Sequence, residues 1–246
     1  MKIADKVNNY LQEKYTKDKE TRNPTQNHEF FPSGAMMCNR KEYYNRKIGR
    51  PEDPELSRIF LVGQIFHDWM EQNVLSGGEA EKHFKIQLDD MEIRGRADYV
   101  DEKYVYELKT IKFLKQVLEN PLSHHVSQIN LYLGAFNMRF GKLVYIEKNT
   151  FQVIEHVVEF SQELYDETVA NYKLLKTGLD ADTLPSRKQE YPGHWECKYC
   201  NWKDECDGNK NVREIKEGTI EGDNRTERTH GGDEQPNAGT PSNGLY

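Results

Sequence analysis

At 246 residues and 28.9 kDa the chain has room for one domain with an accessory module and tails. Hydrophobic residues make up 36% and mean hydropathy is −0.92, so part of the chain is expected to stay unpacked. No apolar run approaches a membrane span, and residues 1–15 lack the apolar core of a secretory signal, so a cytoplasmic protein is expected. The net charge of −7 leaves the partner class open, because it is unevenly spread. Arg40, Lys41, Arg46, Lys47 and Arg50 are opposed nearby only by Glu42, whereas Glu214, Glu217, Glu221, Asp223, Glu227, Asp233 and Glu234 crowd the tail.

In chain order, residues 2–15 read as an amphipathic helix with Ile3, Val7, Tyr10 and Leu11 on one face. A polar connector, residues 17–28, leads to a helix capped at Ser33 that carries Cys38, Arg40, Tyr43 and Tyr44 and ends at Gly49-Arg50-Pro51. Residues 54–75 predict a longer helix with a stripe of Ile59, Val62, Phe66, Trp69 and Met70, and with His67 four residues after Gly63. Residues 83–89 read as a strand. Residues 91–101 and 104–110 read as a hairpin turning at Asp101-Glu102-Lys103. A short helix at 113–118 and a longer one over 123–140, ended by Gly141, come next. Two strands (142–148 and 151–160) precede a helix over 161–175, capped by Ser161 with Gly178 beyond its end. The pattern predicts an α/β fold: a mixed central β-sheet flanked by helices, followed by a C-terminal cysteine module. Residues 1–208 are expected to form the domain, and 209–246 a disordered polar tail.

The hairpin holds the densest chemistry. Side chains alternate along a strand, so Glu107 and Lys109 share a face while Leu108 points away, and cross-strand pairing can bring Asp98 beside them. Two carboxylates and an ammonium suit a divalent metal and a positioned water, although the same pattern also describes a surface salt-bridge ladder. His67 adds an imidazole, which would make a mixed N/O site for manganese or magnesium. Gln128 and Tyr132, four apart on a helix, lie on one face. In a reducing compartment Cys38, Cys197, Cys200 and Cys206 point to a metal or cluster site rather than to two disulfides. The four suit zinc or an iron–sulfur cluster.

His67 after Gly63, the Gly95-Arg96-Ala97-Asp98 strand, Glu107-Leu108-Lys109 and Gln128-x-x-x-Tyr132 stand in the order of the RecB-like branch of the PD-(D/E)XK nucleases. With Cys38 and the Cys197/Cys200/Cys206 trio, the chain resembles the iron–sulfur subgroup. That subgroup includes the CRISPR-associated single-strand DNA exonucleases and the nuclease domain of AddB. Ala97 stands where the superfamily's name has proline, as is common in this branch. The resemblance covers about residues 33–206 and implies a restriction-endonuclease-like core. It implies metal-dependent exonucleolytic hydrolysis of DNA, preferably single-stranded, in repair or recombination, phage DNA processing or CRISPR adaptation. His67, Asp98, Glu107 and the Leu108 carbonyl would hold Mg²⁺ or Mn²⁺, Lys109 would act on the attacking water, and Gln128 and Tyr132 would position substrate or Lys109. The cysteines would hold a structural 4Fe–4S cluster, with Zn²⁺ the alternative. DNA ends and a recombination, replication or CRISPR integrase complex are the implied partners. Arg40, Lys41, Arg46 and Lys47 are expected to guide a DNA backbone, with Tyr43 or Tyr44 stacking on bases. The rival expectation is a non-catalytic DNA-binding adaptor that uses the cysteines as a zinc-finger-like site.

Overall fold

The computed structural model describes residues 2–21, 26–51 and 54–208. The chain divides into two units, Met1–Lys210 and Asn211–Tyr246. The second unit lies outside the described residues, and with it the expected tail. The first unit is a mixed six-stranded sheet with helices on both faces.

α1 (Ile3–Thr21) leads to a two-residue strand, β1 (Glu29–Phe30), and a 3₁₀ turn at Pro32–Gly34. The helix expected from Ser33 does not form there. Met36 takes a left-handed φ of 55°, which interrupts any helix, and α2 (Asn39–Lys47) starts only after Cys38, its N-cap residue. α3 (Pro54–Asn73) is followed by β2 (Glu79–Leu88), β3 (Met91–Val100) and β4 (Val105–Ile111). The expected 113–118 helix is a 3₁₀ turn at Leu114–Gln116. α4 (Ser123–Phe136) stops earlier than its apolar run suggests, because Asn137 adopts the left-handed conformation that closes a helix. Gly141 therefore lies inside β5 (Phe140–Glu147). A Cβ there would come within 2.7 Å of Ile129 Cδ1, so its absence lets α4 lie close on the sheet. β6 (Val153–Glu159) precedes α5 (Gln162–Asp180), whose Ser161 cap accepts from Leu164 N at 3.2 Å. α5 runs on past Gly178, which was expected beyond its end. A 3₁₀ turn at Trp195–Tyr199 and α6 (Lys203–Asp207) complete the unit.

The sheet order is β1-β3-β4-β5-β6, with β2 paired to β3. β4 and β5 are parallel, as are β1 and β3; the remaining pairs are antiparallel. One edge of β3 pairs with β2 along most of its length. The other is divided between β1, at Glu92 and Ile93, and β4, at Tyr99 and Val100.

Each face of the sheet has its own core. α4 covers Val105, Ile111, Leu143 and Tyr145 with Ile129, Tyr132 and Leu133. α3 covers Leu108, Val144 and Ile146 with Met70 and Phe66. The wider α3 stripe does not all turn inward: Ile59, Val62 and Trp69 are exposed, as are Ile3, Val7 and Tyr10 on α1, whereas Leu11 is buried. Among the described residues no helix is long and apolar enough to cross a membrane.

Candidate functional site

The site forms where β3 and β4 part. Their register pairs Tyr99 with Tyr106 and Val100 with Val105, which would bring Asp98 opposite Glu107. Pairing has ended by then. The Asp98 carboxylate instead accepts from Leu108 N at 2.6 Å, so a side chain takes over the ladder bond. This contact pins one carboxylate against the backbone of the Glu107-Leu108-Lys109 run. Glu107, 2% exposed, and Lys109 share the α4 side of β4 and form a close ion pair through Glu107 Oε1. Leu108, fully buried, faces α3.

The two flanking helices complete the cluster from opposite faces. From α3, His67 Nδ1 lies 3.6 Å from Asp98 Oδ1. Burial lowers the His67 pKa, against the opposing pull of Glu107 and a hydrogen bond to the Leu108 backbone. A neutral imidazole is the form that ligates metal. From α4, Gln128 Nε2 donates to Glu107 Oε1 and to the Tyr132 hydroxyl, both at 2.8 Å. Burial raises the Tyr132 pKa well above the usual phenol value, with Glu107 and Asp98 adding to the shift, so the hydroxyl stays protonated. Gln128 thus bridges the carboxylate and the phenol.

Two observations fit a hard divalent cation. Glu107 Oε2 is buried without a hydrogen-bond partner, and burial together with the neighbouring Glu107 raises the Asp98 pKa well above the ordinary carboxylate range. Both mark negative charge that a cation would relieve. No three His, Cys, Asp or Glu side chains among the described residues are arranged as a ready metal cage. Lys109 supplies the compensating positive charge. Burial acts to lower its pKa, but Glu107 and Asp98 outweigh it, and the net shift is upward.

The four cysteines line one open pocket, and all are free thiols. Burial raises the Cys197 and Cys200 pKa values, with Cys38 and Cys206 adding to each. Four sulfurs around one space are the type of donor that a thiolate-loving metal or cluster takes. The buried Glu196 ties the ends together, accepting from Cys38 N at 2.9 Å and facing Lys41 at 3.7 Å.

This pocket corrects the expectation for the basic helix. Tyr43 and Tyr44 are 4% and 1% exposed, and their hydroxyls donate to Asp182 and to the Glu205 carbonyl, so neither ring can stack on a base. Arg40 donates to the Pro185 carbonyl and to Cys206 Sγ, Arg46 to Glu42 and the Glu29 carbonyl, and Lys47 to the Leu179 carbonyl. Arg40 and Lys41 line the cysteine pocket, where they would offset the charge of the sulfurs once these bind a metal as thiolates. A count of local charges had no means of anticipating that distant carbonyls and sulfurs would claim these cations.

Three residues near the site were missed. Glu81 stands opposite Asp98 in the β2–β3 register, takes a left-handed φ of 53°, pairs with Arg96, and adds negative potential at Asp98 and His67. It precedes the strand expected from residue 83, so no alternation argument reached it. Tyr145 lies beside Lys109 in register, and its hydroxyl meets His125 Nδ1 at 3.0 Å. Only the parallel β4–β5 pairing places them there.

No protein-family model matches the chain. The CRISPR-associated exonuclease Cas4 of Saccharolobus solfataricus is 27% identical over 187 residues, which cover 69% of this chain and 83% of that protein. The crystal structure of SSO0001 superposes with a TM-score of 0.60 at 21% identity, covering 83% of this chain and 98% of its own. At that identity it establishes the fold alone. An alkaline exonuclease from Laribacter hongkongensis covers 63% of this chain and 89% of its own at 8% identity, with a TM-score of 0.48, short of a shared fold. In sequence the chain resembles a RecB-like nuclease of the Cas4 kind, and it shares its fold with SSO0001.

Proposed function

We propose that this chain is a metal-dependent DNA exonuclease of the PD-(D/E)XK type that prefers single-stranded DNA. The observation that carries the reading is the convergence of His67, Asp98, Glu107 and Lys109 where β3 and β4 part. The similarity to a protein named as an exonuclease supports it. His67, Asp98, Glu107 and the Leu108 carbonyl would hold Mg²⁺ or Mn²⁺. When bound, such an ion polarises the scissile phosphate and acidifies a coordinated water.

The chain's own groups do the rest. Lys109, held as an ammonium by Glu107, orients the attacking water and offsets the negative charge that develops on the phosphate oxygens. Gln128 fixes the Glu107 carboxylate through Oε1 and leaves Oε2 unpartnered, free to meet a cation. Tyr132 keeps Gln128 in that orientation. His67 offers an uncharged nitrogen from the opposite face. Cys38, Cys197, Cys200 and Cys206 would hold a 4Fe–4S cluster, or Zn²⁺ in its place, which would tie α2 to the C-terminal turns. A biological setting in CRISPR adaptation, beside an integrase, fits the similarity to Cas4; DNA repair, recombination and phage DNA processing use the same chemistry.

A time course on end-labelled single- and double-stranded DNA, with Mg²⁺, Mn²⁺ or EDTA, tests the reading. Wild type is expected to shorten single strands from an end in either metal and to be silent in EDTA, with Asp98→Ala and Lys109→Ala inactive. Equal digestion by all three proteins would overturn it. Iron content and absorption at about 400 nm distinguish a cluster from zinc.

A further inference from the structure

A wall of rings leads from Lys109 to the cysteine pocket, and the chemistry above uses none of it. Tyr145 lies beside Lys109 in the β4–β5 register, on the face covered by α4. Its hydroxyl accepts from Leu122 N at 3.1 Å and meets His125 Nδ1 at 3.0 Å. The His125 ring contacts that of His124 with centroids 4.2 Å apart, and His124 stacks on Trp195 at 5.1 Å and 28°. Trp195 ends the wall: His124 stacks on its indole, the His194 ring tilts against it with centroids 5.8 Å apart at 36°, and the residue is still 46% exposed.

The wall is uncharged along its length. Burial lowers the pKa of both histidines, with Lys109 adding to the effect, and takes His125 down to about 2. The positive charge sits at its inner end, on Lys109. Trp195 is also firmly mounted. It opens the 3₁₀ turn that carries Cys197, and the next residue, Glu196, is the buried carboxylate that grips Cys38.

We propose that Trp195, backed by His124, is a base-stacking platform for single-stranded DNA. The proposal rests on the nuclease reading and names what gives that site its strand preference. A nucleobase offers its π-face to an exposed indole whatever its sequence, and a duplex hides those faces in its own stack. A base held on Trp195 fixes its strand at the solvent end of this row of rings, whose buried inner end, Tyr145, lies beside Lys109. The cysteine pocket then shapes substrate choice by holding the platform in place.

The test reads binding without cleavage. In a Trp69→Phe background the exposed indole that remains is Trp195, since Trp202 is buried. Titration with oligothymidylate in EDTA is expected to quench its fluorescence, and duplex of equal length to leave it unchanged. By anisotropy with labelled oligothymidylate, Trp195→Ala and Trp195→Leu are each expected to weaken binding about tenfold. Trp195→Phe, which keeps a ring, should stay within about twofold of wild type. The leucine variant keeps apolar bulk and a normal thermal unfolding midpoint, which separates lost stacking from lost folding. Absent quenching, or wild-type affinity in the alanine and leucine variants, overturns the platform even if the chain digests DNA. Ring-dependent binding by a chain that never cleaves upholds the platform and overturns the nuclease reading.

Discussion

The carboxylate–lysine cluster and the cysteine pocket both gather reactive side chains, but they are built by different means. The first hangs on sheet register: Glu107 and Lys109 share a face of β4, and Asp98 enters through a side-chain bond to Leu108 N that replaces a missing ladder bond. The second hangs on irregular chain: an N-cap residue and three cysteines from short turns are held by the buried Glu196, by neighbouring cations and by the hydrogen bonds of Tyr44 and Trp202. A register is fixed by many cooperating backbone bonds and survives the loss of one side chain. A pocket of turns is held instead by separate side-chain bonds, each of which a single substitution can remove. Chemistry should therefore be lost from the first without unfolding, and structure from the second without immediate loss of chemistry.

The sharpest way to break this contrast is in the hairpin. Asp98→Ala and Lys109→Ala are each expected to lower the rate of DNA digestion on the order of a thousandfold, with far-UV circular dichroism unchanged. A collapsed dichroism spectrum would show that the cluster holds the fold. EDTA should likewise abolish activity while moving the thermal midpoint little, because both faces of the sheet have apolar cores of their own.

Cys197→Ser should do the reverse. It is expected to lose the bound metal or cluster, read by metal analysis, and to lower the urea midpoint markedly, while activity falls less than in the hairpin variants. Gln128→Ala removes a bridge rather than a reacting group, and roughly a tenfold fall in kcat with little change in KM is expected. The smallest effect belongs to Glu196→Gln. It keeps the hydrogen bond to Cys38 N but removes the charge facing Lys41, and a loss of about 1 kcal/mol in urea unfolding is expected.

Elements whose signals are local were legible. Alternating β-branched and aromatic residues marked β3 and β4 to within about a residue, and Ser161 marked its helix start through a bond made three residues away. Boundaries set by backbone conformation were not. A left-handed Met36 delays α2, and a left-handed Asn137 ends α4 before the apolar run does. Composition does not reveal which non-glycine residues will take that conformation. The cations of α2 were legible as charges but not as commitments, since their partners at Glu29, Leu179, Pro185 and Cys206 come from elsewhere in the chain.

By itself the sequence determined which chemical groups are present and in what order: His67, Asp98, the Glu107-Leu108-Lys109 run, Gln128 with Tyr132, and four cysteines. Face alternation within β4 already put Glu107 and Lys109 together, because the strand period is a local property. Tertiary structure alone decided where β3 leaves β4, and so where Asp98 turns from pairing residue to backbone acceptor. It brought α3 and α4 to opposite faces of one strand, His67 from one side and Gln128 from the other. It also turned the tyrosines of α2 inward and set Trp195 at the end of a wall beginning beside Lys109. These are long-range packing outcomes, settled by which apolar surfaces cover which, and no window of neighbouring residues contains them.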